Sequence, residues 1–253
     1  MSYFFENIRR TLFVLLLTLV IPLSSFSADT ENDPFESTNR NIFKFNNVLD
    51  DNFFKPVAKG WRKIPDIPRK PLSNLASTAQ APISLANAIL QLNRESIGNI
   101  LAKFLINMTF GLGGLFDVAS TDNFGNMPNT HEDFGQTLGA WGIEPGPYLI
   151  LPILGPTSTR DLGGKVGDWV VDPVGLYLIR EDYEDLLLAA NITKALDTRV
   201  ELDGVIEGTR KNSLDPYAIM RTMYLQRRAR LVANEESEDT SIYDIDIDVM
   251  LID

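Results

Sequence analysis

The chain has 253 residues, with 34 acidic side chains against 23 basic ones, one histidine and no cysteine. That length suits one large domain or two small ones, and a hydrophobic share of 44% is too high for a wholly disordered chain. The missing cysteine excludes disulfides, thiolate metal sites and iron–sulfur clusters, the single histidine leaves little room for a metal site or a triad, and a net charge of −11 argues against nucleic acid as a partner.

The charge is uneven. Residues 1–27 carry Glu6, Arg9 and Arg10, whereas residues 234–253 carry eight acids and no base. The first segment reads as an export signal. Arg9 and Arg10 precede an apolar run from Leu12, Pro22 interrupts it, and Ser25 with Ser27 set up cleavage between Ser27 and Ala28. The competing reading, a membrane-spanning helix, needs about 20 apolar residues and finds twelve, Leu12 to Leu23. The mature domain is therefore expected over 28–233, followed by an acidic tail over 234–253.

Helical signals dominate the body. Asp33-Pro34-Phe35-Glu36 is a helix start, with Asp33 as cap, Pro34 in the first turn and Glu36 reaching back. The first helix is expected from Pro34 to about Phe54, since Ile42, Phe45, Leu49 and Phe53 recur at spacings of three and four. Pro65, Pro68 and Pro71 read as a stiff connector more readily than as a docking ligand. Two helices are expected beyond it, near 71–80 and 82–93.

Residues 97–116 hold one charge, Lys103. Ile97, Ile100, Leu101, Phe104, Leu105 and Met108 share a face, with Asn99, Lys103 and Asn107 opposite. Gly111, Gly113 and Gly114 then break the helix among Phe110, Leu112, Leu115 and Phe116. Such an apolar tip is either packed in the core or inserted into lipid as a hairpin. Frequency alone favours the core. A second apolar segment, Pro145 to Pro156, is punctuated by prolines, so irregular backbone is expected there, packed against protein or lining a polar cavity.

A third apolar stretch, Trp169 to Ile179, follows, with Asp172-Pro173 as a possible helix start. Helices are expected from Tyr183 to about Glu207 and from Pro216, after the cap Asp215, to about Ala233. Tyr217, Met220 and Tyr224 share the early face of the last helix. Arg221, Arg227, Arg228 and Arg230 complement its dipole or touch lipid phosphates, the first being the simpler account. The tail alternates isoleucine with aspartate and reads as disordered, with strand addition to a partner as the alternative.

No catalytic motif emerges. His131-Glu132-Asp133 are consecutive, so their side chains diverge on a regular element. There is no nucleophile elbow, P-loop or nucleotide fingerprint, and no catalytic residue, metal site or cofactor is expected.

The opening of the mature chain carries a resemblance. Asp33-Pro34-Phe35-Glu36 followed by Asn39, Arg40, Phe43, Phe45 and Asn46 resembles the MlaA family, also called VacJ. Further blocks match in order: 112–119 around Gly113 and Gly114, 134–139, Gly146-Pro147-Tyr148 with Leu151-Pro152, Arg160-Asp161, and Asp215-Pro216-Tyr217 with Gln226-Arg227. The resemblance implies an all-α, single-domain helical ring, monotopic in the outer membrane of Gram-negative bacteria, with an amphipathic channel. It implies removal of misplaced phospholipid from the outer leaflet and delivery to an MlaC-like periplasmic carrier, with trimeric porins as further partners. On this reading the hairpin beside the channel is Phe110, Gly111, Leu112, Gly113, Gly114, Leu115 and Phe116. The first-helix motif, Asn39, Arg40, Phe43, Phe45 and Asn46, is expected to lock its helix near that hairpin. Many family members are anchored through a lipidated cysteine. This sequence has none, so attachment from the periplasmic side without a lipid anchor is expected. Two other classes compete: an outer-membrane scaffold or porin partner without a conduit, and a periplasmic lipid hydrolase, which the lone histidine disfavours.

Overall fold

The computed structural model describes residues 33–235. The expected cleavage site at Ser27 and Ala28 lies outside the described residues, as does the tail beyond Glu235. Helix α1, Glu36–Leu49, passes through a π-helical turn, Asp50–Phe54, into α2, Lys55–Trp61. The rod thus outruns the expected end at Phe54. Pro56 accounts for the wide turn, since its ring would clash with the carbonyl four residues back in a regular helix. The start also differs. Asp33 accepts from the Phe35 amide, but Glu36 bonds Arg40 rather than reaching back.

Helix α3 is a single element, Asp66–Leu90, where two helices were expected. Its one non-helical residue is Ile67, which precedes Pro68 and takes the extended backbone that this position favours. Pro71 lies one turn into the helix, and Pro82 deletes only its own backbone bond, while packing of α3 against its neighbours on both sides holds the rest. Asn93 caps α4, Arg94–Thr109, by accepting from the Ser96 amide at 3.1 Å. Asp133 caps the short α5, Phe134–Ala140.

The segment expected to be irregular is a regular β-hairpin. β1, Tyr148–Leu151, pairs antiparallel with β2, Gly155–Ser158, in the register Tyr148↔Ser158 to Leu151↔Gly155. Pro152 lies just past β1, in the turn, and so costs the ladder nothing. Ser158 caps α6, Thr159–Val171, and Asp172 caps α7, Pro173–Arg180, by accepting from the Val174 and Gly175 amides. The expected helix over 183–207 is two, α8, Glu184–Glu201, and α9, Asp203–Asn212. Helix α10, Pro216–Ala233, starts at its Asp215 cap as expected.

Among the described residues the architecture is helical apart from the two-stranded hairpin. Helix α3 packs against α4 on one side and α8 on the other, and α5 packs on α6 and α10. A small core of Tyr148, Ile150, Tyr217 and Tyr224, flanked by Ile42, Phe43 and Leu225, ties the β-hairpin to α1 and α10. Elsewhere small apolar side chains such as Ala76, Ala88 and Ala190 share the interior with many polar ones. Asn87, Asn107, Gln136, Thr137, Asp161 and Arg228 are buried, while Leu101, Leu105, Met108, Phe110 and Leu112 face outward. No described helix is long and apolar enough to cross a membrane.

Candidate functional site

The facing sides of α3, α4, α8 and α10, with residues 128–132, line an open cavity of about 840 Å³. Helix α3 contributes Ser73, Asn74, Ser77, Thr78 and Ser84, a stripe of small polar side chains spaced by one helical turn or multiples of it. From α4 come Asn99, Lys103 and Asn107, from α8 Lys194, Asp197, Thr198 and Glu201, and from α10 Arg227 and Arg230. The two faces of α4 are sorted only in part as the periodicity foretells: Leu101, Leu105 and Met108 face outward, but Ile100, which is buried, and Phe104 line the cavity beside Asn99, Lys103 and Asn107. Leu105 is 51% exposed and Asn107 only 6%.

Thr109 ends α4, and the chain reverses through Leu112, Gly113 and Gly114, all at positive φ. The Gly113 and Gly114 amides donate to the Met108 and Asn107 carbonyls at 3.1 and 3.0 Å, which closes the turn. A side chain on Gly114 would place its Cβ 2.5–2.7 Å from the Thr78 side chain, and one on Gly111 would meet the Phe116 carbonyl. Asn74 donates to the Leu115 carbonyl at 3.0 Å, fastening the tip to α3. Below the tip, Asn107 donates to Asp117 at 2.9 Å and accepts from the Ala119 amide, while Lys103 pairs with Asp117 at 3.2 Å. Burial acts to raise the Asp117 pKa, but bonds from Asn107 and Ser120 and the Lys103 charge hold it below the usual range.

The tip is not buried in a core. Phe110 and Leu112 are 67% and 69% exposed and Phe116 is also exposed, whereas Gly111 and Gly114 are buried against α4 and α3. The backbone packs inward, and the large side chains project outward beside the cavity wall.

The first-helix motif does something other than expected. It fastens α1 to the β-hairpin and α10, not to the glycine-broken tip. Asn39 donates to the Tyr148 carbonyl at 3.0 Å and accepts from the Ile150 amide at 2.9 Å. Two turns on, Asn46 donates to the Leu151 carbonyl and accepts from the Ile153 amide. Arg40 forms a bidentate pair with Asp215 and lies over the Tyr217 ring, 4.3 Å from its centroid. Phe43 meets Tyr217 edge-on, but Phe45 points outward.

The arginines of α10 are more than a dipole complement. Arg228 is buried and pairs with both Asp133 and Asp161, at 2.6 and 2.9 Å. Burial acts to raise the Asp133 pKa, yet the Arg228 guanidinium outweighs it and holds that carboxyl far below the carboxylate range. Glu132 bonds Ser96 and Gln91, and its backbone amide donates to Ser84. Thus the 131–133 cluster is bonded into the wall. Missed in the sequence were the α3 stripe and the charged face of α8. Both carry a legible signal, polar residues at turn spacing within a helix.

The fold and site define a helical protein with a cavity lined by many polar side chains and with exposed apolar side chains on α4 and the glycine-broken tip. The family model "MlaA lipoprotein" matches residues 31–231. The chain is 32% identical to the intermembrane phospholipid transport system lipoprotein MlaA of Escherichia coli, covering 87% of both chains, and 31% identical to its Haemophilus influenzae counterpart, over 81% of this chain and 84% of that one. A Rickettsia prowazekii protein is 36% identical over 81% of this chain and 80% of its own length. A solved structure, from work on the structural basis for maintenance of bacterial outer membrane lipid asymmetry, superposes with a TM-score of 0.70 at 34% identity, over 79% of this chain and 99% of that one. The chain belongs to the MlaA family.

Proposed function

We propose that this protein moves phospholipids between membranes, drawing misplaced molecules from the outer leaflet of the outer membrane and passing them to an MlaC-like periplasmic carrier. The cavity lined by many polar side chains, beside exposed apolar faces, carries the reading. A phospholipid pairs a charged head with two apolar tails, and such a cavity behind an apolar face lets the head pass inside while the tails stay at bilayer depth. Each methylene kept from water is worth about 0.8 kcal/mol, so unaided extraction of two long tails would cost tens of kcal/mol, roughly. A sheltered path lowers that barrier and supplies no net drive, which must come from the acceptor side. The relatives named for phospholipid transport support the same conclusion. No hydrolytic step is assigned to this chain.

The outward apolar faces of α4 and of the tip are the surface for the bilayer, and trimeric porins are further candidate partners for them. The test compares intact cells with and without the gene, using a membrane-impermeant phospholipase to report surface-exposed phospholipid. Exposed phospholipid rises on deletion and is restored by the intact gene, but not by Gly114→Val, which drives the tip off α3. An unchanged level, with the protein still in the outer membrane, would instead favour a scaffold without a conduit.

A further inference from the structure

Two carboxyl groups, one on the cavity wall and one away from it, are held by N–H and O–H donors rather than by a cation. Glu132 is buried at the wall, and its oxygens accept from Ser96 at 2.7 Å and from Gln91 at 3.0 Å. Asp168 on α6 accepts from Asn87 and from the Phe134 amide, both at 2.8 Å. A relay of side chains joins the two. Asn87 donates to Asp168 and accepts from Thr137 at 2.9 Å, and Gln91 donates both to Thr137, at 3.3 Å, and to Glu132. The end of α3, α5 and α6 are thereby tied to the cavity wall.

Every link of the relay has a direction. At each end an N–H group points at a carboxylate, which suits two charged groups. A proton on the Asp168 oxygen beside Asn87 sets a donor against a donor. The conflict is relieved when the Asn87 amide turns over, because its oxygen and nitrogen then exchange places. Its N–H now meets the Thr137 hydroxyl, which turns to donate onward. An acceptor is waiting, since Gln91 Oε1 is buried without a donor. When the Gln91 amide turns over as well, that oxygen takes the Thr137 hydroxyl, and Glu132 loses an N–H donor. A protonated Glu132 then donates to the same oxygen. With two protons bound, the reversed relay gives Gln91 Oε1 the donors it lacks and gives up the bond from Asn87 to the Ile83 carbonyl.

We propose that Asp168 and Glu132 are the two ends of a proton switch, coupled through Asn87, Thr137 and Gln91, that sets the charge of the cavity wall. As the surroundings acidify, both carboxyls take up protons together and the wall loses the negative charge of Glu132. Burial pushes both groups up, Asp168 to about 6. Asp133, kept ionised by Arg228, and His131 act on both. Lys165 and Asp172 stand one turn from Asp168 on its own helix. Glu132 shares the cavity with Lys70, Glu95, Lys103 and Asp117, with Arg227 and Arg230 of α10 and Glu235 beyond it, and with the charges of α8 named above. None of these belongs to the relay, so they move the midpoints without linking the two protons.

The experiment follows the Asp168 and Glu132 carboxyl carbons by NMR in the purified full chain, in detergent, from about pH 8 to about pH 4, the range in which such groups titrate. The two should change together, over a narrower interval than one proton allows. Asp168→Asn separates the switch from simple electrostatics. Its amide donates to Asn87 as the protonated carboxyl would, fixing the reversed relay, and should raise the Glu132 midpoint by about one pH unit. Loss of a nearby negative charge acts the other way, so a lowered or unchanged midpoint overturns the switch. Thr137→Val removes the linking hydroxyl and should leave two independent titrations, whereas joint titration in that variant overturns the relay. His131→Gln should keep the joint titration, and its loss there would assign the coupling to the imidazole instead. The consequence for lipid rests on the transport reading above. Phosphatidylglycerol retained from vesicles should increase severalfold between pH 7 and pH 5, and Asp168→Asn should show the higher retention already at pH 7, as Glu132 turns neutral. Retention that ignores pH overturns the role given to Glu132 at the wall. No lipid retained at any pH, with joint titration intact, overturns the transport reading and leaves the switch.

Discussion

Asn39 and Asn46 stand two turns apart on α1, so their amides project from one face. Each acts as donor to one strand carbonyl and as acceptor for a nearby amide. A carboxylate or hydroxyl could not supply both halves of this pairing in that shape. Asn39→Ala orphans the buried Ile150 amide and the Tyr148 carbonyl together, and a loss of about 2–4 kcal/mol is expected by denaturant titration. Asn39→Asp keeps the acceptor but buries an added charge, and should be no better. The glycines of the tip differ from one another in the same physical terms. Gly113 has open space but a φ of 74°, so Gly113→Ala should cost about 1 kcal/mol from backbone strain alone. Gly114→Ala adds the collision with Thr78 and should cost more, which thermal melts of the two variants side by side will show.

At the scale of elements, α5, α6 and α10 are clasped by one buried cluster in which Arg228 bridges Asp133 and Asp161. Arg228→Met strands the Asp133 carboxylate in a dry site, while Asp161 keeps its pairing with Arg160. Destabilisation of at least about 3 kcal/mol is expected, because removing one partner of a buried pair strands the other. The pH profile has two limbs. Asp168 on α6 accepts from Asn87 and the Phe134 amide, and burial pushes its carboxyl up to about 6 against those bonds. The folded state then holds this proton more tightly than the unfolded chain does, so stability should rise as pH falls from about 6 to about 4. Asp133 has the opposite sign. Its depressed pKa stabilises the fold above the unfolded value near 4, and that contribution fades as pH falls further. Melting temperature should therefore be higher at pH 5 than at pH 7 and fall in stronger acid, and Asp168→Asn should flatten the limb between pH 7 and pH 5.

Much of this element order was legible in the sequence. Asp172-Pro173 and Asp215-Pro216 are helix starts because a carboxylate cap and a proline in the first turn satisfy the same local geometry wherever they occur. Local chemistry misled where tertiary packing decides. Pro82 looks like a helix end, yet α3 runs through it between α4 and α8. Pro152 looks like a strand breaker, yet it sits one residue beyond β1. The amphipathic stripe of α4 was visible as a pattern, but periodicity reports that two faces differ and not which of them faces water. The Asn39–Tyr148 and Arg228–Asp133 partnerships join residues far apart in the chain, and no local signal pairs them.

For the molecule as a whole, the exposed apolar faces make the surroundings part of the structure. Leu105→Glu alters a half-exposed position with no core contact to lose, so it should leave the helical content by circular dichroism unchanged. It should weaken retention on phospholipid vesicles in flotation, since it sets a charge on the surface assigned to lipid. A matching change on the inner face of the same helix, Asn107→Leu, should do the reverse: it breaks the bonds to Asp117 and Ala119 and lowers the melting temperature without reducing flotation.

The outward face of α4 also bears on how the protein begins. An ordinary chain hides its oily surface as it folds, and water itself rewards the step. Here Leu101, Leu105, Met108, Phe110 and Leu112 remain uncovered after folding is complete. In water the finished molecule is as adhesive as a half-folded one. On the transport reading proposed above, lipid is what covers those residues at the end, and a chain with this surface needs cover on the way there as well.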